Sequence, residues 1–581
     1  MKKIISISIF TFLVLSICNA QILEDYPFKT YLDSADNIYV TGFKQIGMTK
    51  ELFTAKYPPN ENSPALWSRV YENPNGDDRG LDIAVDSDGN TFVTGYTFNS
   101  ILNNNDIIVM AYNPDGTFKW SKIFENPGDD KGMGIDLKLN EDGQAMEVFI
   151  TGFMTSRENR KNYLIKKLSA TNGALIWQNT YGVKFGDNIA TDILIDNDFA
   201  YVLGYSYFGP QRLNDIALLT FYQDNGSLQE ALFDNRPGTD EKPTGFLIAE
   251  RSHIPVQKSR IALTSNTDNH GNGNSGKKYL TMFLDRSSGN AFNIKWSREF
   301  SNSSENRNDA VTSICRDNSG DIYISGYALN TKQRYRGMDF ITAKYTADSG
   351  NYGWTENTRM FNYSDTSSAG VNDRASSIKV NNQKTVYVAG VSEASPSGYS
   401  YVQYIQSSGQ PVYELDRMFI PNFINSDRDQ GQFLNKWATI HIADDGTPLM
   451  VVMGWNENEA HWAAIRYDAD GNVLYTINNE SGITDKSFQK KENAVSLNLN
   501  NYPNPFNPST VISYELSANG FVNLKIYDIT GREVASLINE NQTSGSHSVS
   551  FNAGDLSNGV YYYFVSVNGV KSRSKSMILL K

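Results

Sequence analysis

Asp, Asn or Glu recurs at one kind of place in this chain: Asp25, Asp78, Asp130, Asn188, Glu241, Asp309, Asp373 and Asn435. Each stands a similar distance ahead of a short apolar run, and six are carboxylates. Gathered in one ring, such groups would repel one another, which raises their pKa values or recruits a shared cation. An Asx residue in that position also hydrogen-bonds the backbone of its own turn with no ligand involved. A second pattern looks like fragments of a calcium loop: Asp86, Asp88, Gly89 and Asn90; Asp317, Gly320 and Asp321; Asp468, Asp470, Gly471 and Asn472. These lack the spacing and the distal bidentate Glu of an EF-hand, and Asp-Gly between two strands is a hairpin turn signal. Calcium is the only cofactor these residues suggest.

Nucleophilic chemistry has thinner support. The five histidines are His253, His270, His441, His461 and His547. None belongs to an HExxH pattern, and no GxSxG elbow accompanies them. His441 and His461 share one unit and could approach each other. Cys315 follows Ile314 on an apolar run, which suits a buried inert thiol better than a nucleophile. Paired carboxylates for glycoside hydrolysis stay open, because their separation is invisible in a sequence. Aromatic stretches at Tyr205, Tyr207 and Phe208 and at Tyr399 and Tyr401 could stack sugars or peptides, or simply fill half-buried strand faces.

The elements that would position these residues are strands. A β run ending in glycine returns at Gly42, Gly95, Gly152, Gly204, Gly326, Gly390 and Gly454, with IALTS at 261–265 standing for the missing member. The second unit shows four strand candidates in order: 81–85, 91–95, 106–112 and 118–124. Tryptophan recurs in the fourth candidate as Trp67, Trp120, Trp177, Trp296 and Trp354. Four short strands per unit, repeated with a period of about 50 to 65 residues, describe a β-propeller whose closed ring protects its sheet edges. Eight blades fit residues 21–480. Seven would fit if residues 243–308 were an insertion, with the polar stretch 266–278 as a long loop. The stretches LDIAVDSDGNTFVTGYT (81–97) and TSICRDNSGDIYISGYA (312–328) resemble the SBBP family of bacterial β-propeller repeats. That resemblance implies a fold in secreted and surface proteins and carries no chemistry of its own.

Both ends read as addresses. Lys2 and Lys3 precede an apolar segment at 4–17, too short for a comfortable membrane span. Small residues around Ala20 place signal-peptide cleavage between Ala20 and Gln21, and bulky Ile17 disfavours a lipid-modified Cys18. A polar linker at 481–496 leads to alternating strands at 510–516, 522–527, 533–538, 546–551 and 560–567. These predict a small immunoglobulin-like β-sandwich at 497–581. YPNPFNPST (502–510), LKIYDITGREV (524–534), LSNGVYYY (556–563) and KSMILLK (575–581) resemble the type A C-terminal sorting domain of the type IX secretion system. On that resemblance the motif residues are Tyr502, Pro503, Asn504, Pro505, Phe506, Asn507, Pro508, Gly531, Gly559 and Lys581. It implies the type IX secretion machinery as a partner, and passage through the periplasm to the surface of a Bacteroidetes-type bacterium or beyond it.

The composition agrees. Apolar residues at 40% and charged residues at 20% fit neither a disordered chain nor a membrane bundle. A net charge of -12 argues against a nucleic-acid partner. Of two cysteines one lies in the leader, so a disulfide cannot hold the mature fold. The expectation is an all-β secreted protein that binds an extracellular glycan or protein without catalysis. A secreted carbohydrate- or peptide-active enzyme and a structural surface component are the alternatives.

Overall fold

The recurring glycine lies inside a strand and not at its end. Strand Thr91–Asn99 runs straight through Gly95. Opposite it the blade's first strand bulges between Gly80 and Asp82. A Cβ on Gly95 would lie 1.9 Å from the Arg79 carbonyl oxygen, so only glycine fits. Gly152 against Lys131 and Gly326 against Ala310 repeat this contact at 1.9 and 2.0 Å. The marker is therefore the imprint of a β-bulge, which bends the inner strand of blades two to seven.

The computed structural model describes residues 29–478 and 499–581, apart from loop segments of which 362–372, 406–416 and 420–436 are the longest. The chain is all-β. Its strands form successive four-stranded antiparallel sheets, eight of them among the described residues before residue 479. The first holds Lys29–Leu32, Ile38–Ile46, Thr49–Tyr57 and Trp67–Tyr71; the eighth holds Trp437–Ile442, Pro448–Trp455, Ala460–Tyr467 and Val473–Asn478. The fifth unit makes its own sheet from Thr239–Glu250, Arg260–Asn269, Lys277–Arg286 and Phe292–Phe300, so it is a blade and not an insertion. Part of the expected loop at 266–278 is strand, with Asp268 paired to Lys277.

First strands of consecutive blades pack on one another and so form the inner ring. The eighth blade returns to the first: Leu449, Val451 and Ala464 share a core with Ile38, Val40 and Ala55. Thr30 Oγ1 and His441 Nε2 meet at 2.7 Å across that junction. Every described blade is built from four consecutive strands, so side-chain packing closes the ring without a strand exchanged between its ends.

Four of the recurring tryptophans, in blades one, two, three and five, lock their blade to the next. Trp67, Trp120, Trp177 and Trp296 donate their indole N–H to the carbonyls of Pro114, Ala170, Gln223 and Ala347 at 3.1, 3.0, 3.0 and 2.9 Å. Each ring lies on a hairpin glycine of the following blade. A Cβ on Gly116, Gly173, Gly226 or Gly350 would sit 2.3 to 2.5 Å from the indole, and each has a left-handed φ of 63 to 77°. The fourth blade breaks the pattern. Glu230 stands where blades one, two, three and five carry tryptophan, pairs with the fully buried Lys258 and accepts the Phe292 amide at 3.2 Å. Lys258 in turn lies 4.8 Å over the Phe292 ring.

Contacts divide the chain between Ser481 and Gly482. In the C-terminal unit, Asn500–Tyr502, Ser509–Leu516 and Gly545–Asn552 form one sheet. Glu533–Gln542, Gly520–Tyr527, Gly559–Val567, Val570–Lys571 and Lys575–Leu579 form the other. Strict alternation of buried and exposed residues along Ser509–Leu516 sends Ile512, Tyr514 and Leu516 into one core with Leu524, Ile526, Tyr563 and Met577.

Candidate functional site

Asp78, Asp130, Asn188, Glu241 and Asp309 are buried, none more than 1% exposed. Asp78 and Asp130 fasten the loop entering their blade to that blade's second strand, while Asn188 and Glu241 reach back to the third strand of the preceding blade. Asp78 Oδ1 accepts the Phe98 amide at 2.9 Å and the Asn73 side-chain amide at 3.2 Å. Asp130 Oδ1 accepts the Thr155 amide at 2.7 Å and Asn126 Nδ2 at 3.3 Å. Asn188 takes the Val183 amide and donates to the carbonyls of Lys161 and Gly186. Glu241 accepts the Ile216 amide at 3.3 Å and meets Arg236 at 2.5 Å. The residue before each does the complementary job: Asp77, Asp129 and Asp187 accept amides of Lys50, Asn105 and Lys161 from the preceding blade. Burial pushes Asp78 and Asp130 up to about 6 and Glu241 up to about 7, the last against the pull of Arg236. Asp373 opens strand Asp373–Val380 opposite Ser392. Asp25 and Asn435 lie outside the described residues.

The hairpin carboxylates are equally occupied. Asp86 Oδ1 accepts the amides of Asp88 and Asn90, while Oδ2 accepts the Ala145 amide of the next blade at 3.1 Å. Asp317 Oδ1 accepts the amides of Ser319 and Asp321, and Oδ2 takes the Tyr323 hydroxyl at 3.1 Å. Asp33 and Asn381 make the same Asx turns. Gly89 and Gly320 supply the left-handed residue. Asp470, Gly471 and Asn472 lie outside the described residues. Among the described residues no three His, Cys, Asp or Glu side chains gather as metal ligands. With both oxygens of Asp86 engaged by amides, a chelator is expected to shift the melting point of the mature protein by less than about 1 °C. A ligand that binds only the folded state would have to raise it, so calorimetry with and without chelator decides the point.

Of the histidines, the side chains of His441 and His547 lie within the described residues. His441 is enclosed at the ring closure, where burial and the nearby Lys379 push it down to about 3, so it stays neutral. His461 lies on strand Ala460–Tyr467 with its side chain outside the described residues, as are His253 and His270. His547 stacks on Tyr514 at 5.5 Å in the other unit. Cys315 is buried, and burial pushes its thiol up to about 12. Tyr205 lies under Lys242 at 6.0 Å, Tyr207 abuts Gly186, and the Arg212 guanidinium sits 3.9 Å over Phe208. Tyr399 and Tyr401 belong to strand Tyr399–Ile405, their side chains outside the described residues.

One charged group on the inner ring escapes a reading of the sequence. Lys29 Nζ lies 3.5 Å from Asp82 Oδ1 and is half-exposed, with Asp192 also near enough to raise its pKa. Asp82 and Asp136 each accept an amide from the next inner strand, Ile135 at 2.9 Å and Ile195 at 2.8 Å. Burial pushes Asp136 up to about 7 and Asp192 up to about 6. Asp82, Asp136 and Asp192 sit inside strands that read as apolar runs, so their place on the inner ring is invisible until the strands pack side by side.

Of the sorting-motif residues, Phe506 is buried against Phe551 and Tyr502 is 83% exposed. Asn504 reaches the last strand, and Lys581 donates its amide to Asn558 Oδ1 at 2.8 Å. Gly531 lies outside the described residues.

With fold and side chains in place, the chain is an exported β-propeller. Residues 66–103 match the SBBP beta-propeller repeat. Residues 500–579 match the secretion system C-terminal sorting domain. That tail implies export through the type IX system to the cell surface or the extracellular space, and interaction with that machinery. No helix of the described residues is long and apolar enough to cross a membrane. No curated protein matches the sequence. Similar solved structures include polysaccharide lyase Uly1, at 11% identity over 66% of this chain and 89% of that one, TM-score 0.38. The β-propeller domain of the Trilobed protease from Pyrococcus furiosus is 10% identical over 66% and 93%, TM-score 0.33. PorZ, a surface component of the type-IX secretion system of Porphyromonas gingivalis, is 10% identical over 95% and 98%, TM-score 0.18. At these similarities none of the three bears on what this chain does.

Proposed function

We propose that the exported propeller is a non-catalytic binding scaffold for another extracellular protein. The observation that carries this reading is the contrast between its repeated polar side chains and its loops. Asp78 and Asp130 accept backbone amides from the second strand of their own blades, and Asn188 accepts that of Val183 in the loop joining blades three and four. The loops joining second to third strands, and those joining blades, share one end of the ring by antiparallel topology. There Ile101 is 92% and Phe185 68% exposed, with Leu102 beside Ile101 and Arg212 over Phe208. Asn103, Asn159 and Leu213 hold the turns of blades two to four at φ of 53, 58 and 61°. Leu213 is a costly residue in that conformation, which suits a loop held for a purpose. Aliphatic, aromatic and arginine side chains on rigid loops have the makings of a protein-recognition patch.

Intact cells of the exporting bacterium and their purified surface polysaccharide are the two probes. The mature propeller is expected to bind protease-sensitive sites on cells and not the polysaccharide. Ile101→Ser with Phe185→Ser should weaken binding at least tenfold with the melting point unchanged. Equal binding by variant and parent, or binding that survives protease treatment, would overturn the reading.

A further inference from the structure

The last strand of the sorting domain, Lys575–Leu579, pairs on one side with Gly559–Val567. Its other side would be a free sheet edge. An edge of this kind invites pairing with any extended chain. Here the YPNPFNP motif fills it. Asn504 uses its side-chain amide as a strand would use its backbone: Nδ2 donates to the Ser576 carbonyl at 3.1 Å, and Oδ1 accepts the Ile578 amide at 2.9 Å. Two residues on, the Phe506 amide donates to the Ile578 carbonyl at 2.9 Å, and the Leu580 amide donates to the Phe506 carbonyl at 3.0 Å. The Phe506 side chain anchors this strap in the core. The carbonyl of 576, the amide and carbonyl of 578 and the amide of 580 are thereby paired.

What stays open on this strand is its outward face. Met577 and Leu579 point into the core, and Ile578 and Leu580 point out at 38% and 55% exposure. Val560, the cross-strand partner of Ile578, and Tyr562 extend the apolar row on the neighbouring strand. Edge strands are ordinarily protected by outward charges, and a row of exposed apolar residues in their place marks a contact surface.

We propose that the Tyr502–Pro508 motif is a positioning strap, and that the secretion machinery reads the outward face it holds in place: Val560, Tyr562, Ile578 and Leu580. The partner is a protein of that machinery with an apolar, uncharged groove. Recognition runs through side chains, because the strap occupies the backbone edge from the Ser576 carbonyl to the Leu580 amide. This inference rests on residues 500–579 acting as the export signal.

The test uses the full chain in its exporting host, with deletion of residues 497–581 as the control for that premise. If the deletion leaves export intact, the premise fails and not the strap. Given that control, Ile578→Glu with Leu580→Glu should cut the exported fraction at least tenfold while the sandwich stays folded. Asn504→Ala should cut it as well and should speed hydrogen exchange at the Ile578 amide at least tenfold, with the amides of the Ser509–Leu516 strand unchanged. Loss of export in Asn504→Ala with exchange at Ile578 unaltered would show the motif itself to be the recognised surface. Normal export of the Ile578→Glu, Leu580→Glu variant would overturn the docking face.

Discussion

Replacing Trp120 with alanine is expected to lower the unfolding free energy of the propeller by about 3–5 kcal/mol. The indole is 6% exposed, packs on Phe92 with ring centroids 6.1 Å apart, and donates to the Ala170 carbonyl at 3.0 Å. Its removal opens a cavity between blades two and three and leaves that carbonyl without its donor. At the usual unfolding entropy per residue, the loss amounts to a fall in melting point of roughly 4 °C for a ring of this length. Gly173→Ala attacks the same lock from the other side. Its Cβ would lie 2.5 Å from the Trp120 ring, and its φ of 69° disfavours any side chain. Both effects act together, so the fall should be at least as large. Leu175→Ser, at an exposed position where strand Leu175–Tyr181 of blade three begins just after Gly173, should change stability by less than about 0.5 kcal/mol. Differential scanning calorimetry of the three variants checks this. A Trp120→Ala protein that melts with the parent would mean that the blades are held by something other than these locks.

The sequence displays the parts of the fold that are local. Strand alternation, Asx-Gly turns and the tryptophan spacing each follow from a few neighbouring residues, so the blades are readable one unit at a time. What pairs with what across the ring is not. Gly95 looks like the end of a strand until the bulge at Gly80–Asp82 crosses it. Asp78 would be equally at home facing a cation or facing the Phe98 amide, and residue type alone does not separate the two. Glu230 gives no sign that it stands in for a tryptophan, because its partners Lys258 and Phe292 belong to the next blade. Asn504 can be recognised as part of a motif, but its role depends on Ser576, 72 residues away. In each case the missing information is tertiary: a backbone group that arrives from a distant segment.

The same buried carboxylates make the propeller more stable in mild acid than in base. Asp78 and Asp130 titrate near 6 and Glu241 near 7, each raised by burial above its value in an unfolded chain, which lies near 4. A group with a raised folded pKa contributes its full stability below the unfolded value and loses it as pH rises through the folded one. Asp136 and Asp192 on the inner ring shift in the same direction. His441 acts oppositely: its folded value near 3 lies below the unfolded 6.5, so its contribution is complete above 6.5 and lost as pH falls. Asp215, raised to about 6, joins them, so these six carboxylates stand against His441 and against Lys166, whose folded value of about 8 makes its own contribution fade as pH falls through 8. The melting point should therefore rise by at least a few degrees between pH 8 and pH 5.5, then flatten as His441 and the last carboxylates come into balance. Asp130→Asn tests the cause, because an amide oxygen can still accept the Thr155 amide and carries no charge to expel. That variant should gain stability at pH 8 relative to the parent and show a shallower pH profile. A parent whose melting point is level or climbs from pH 5.5 to 8 would mean that these carboxylates stay ionised in place, with the amides around them strong enough to offset their burial.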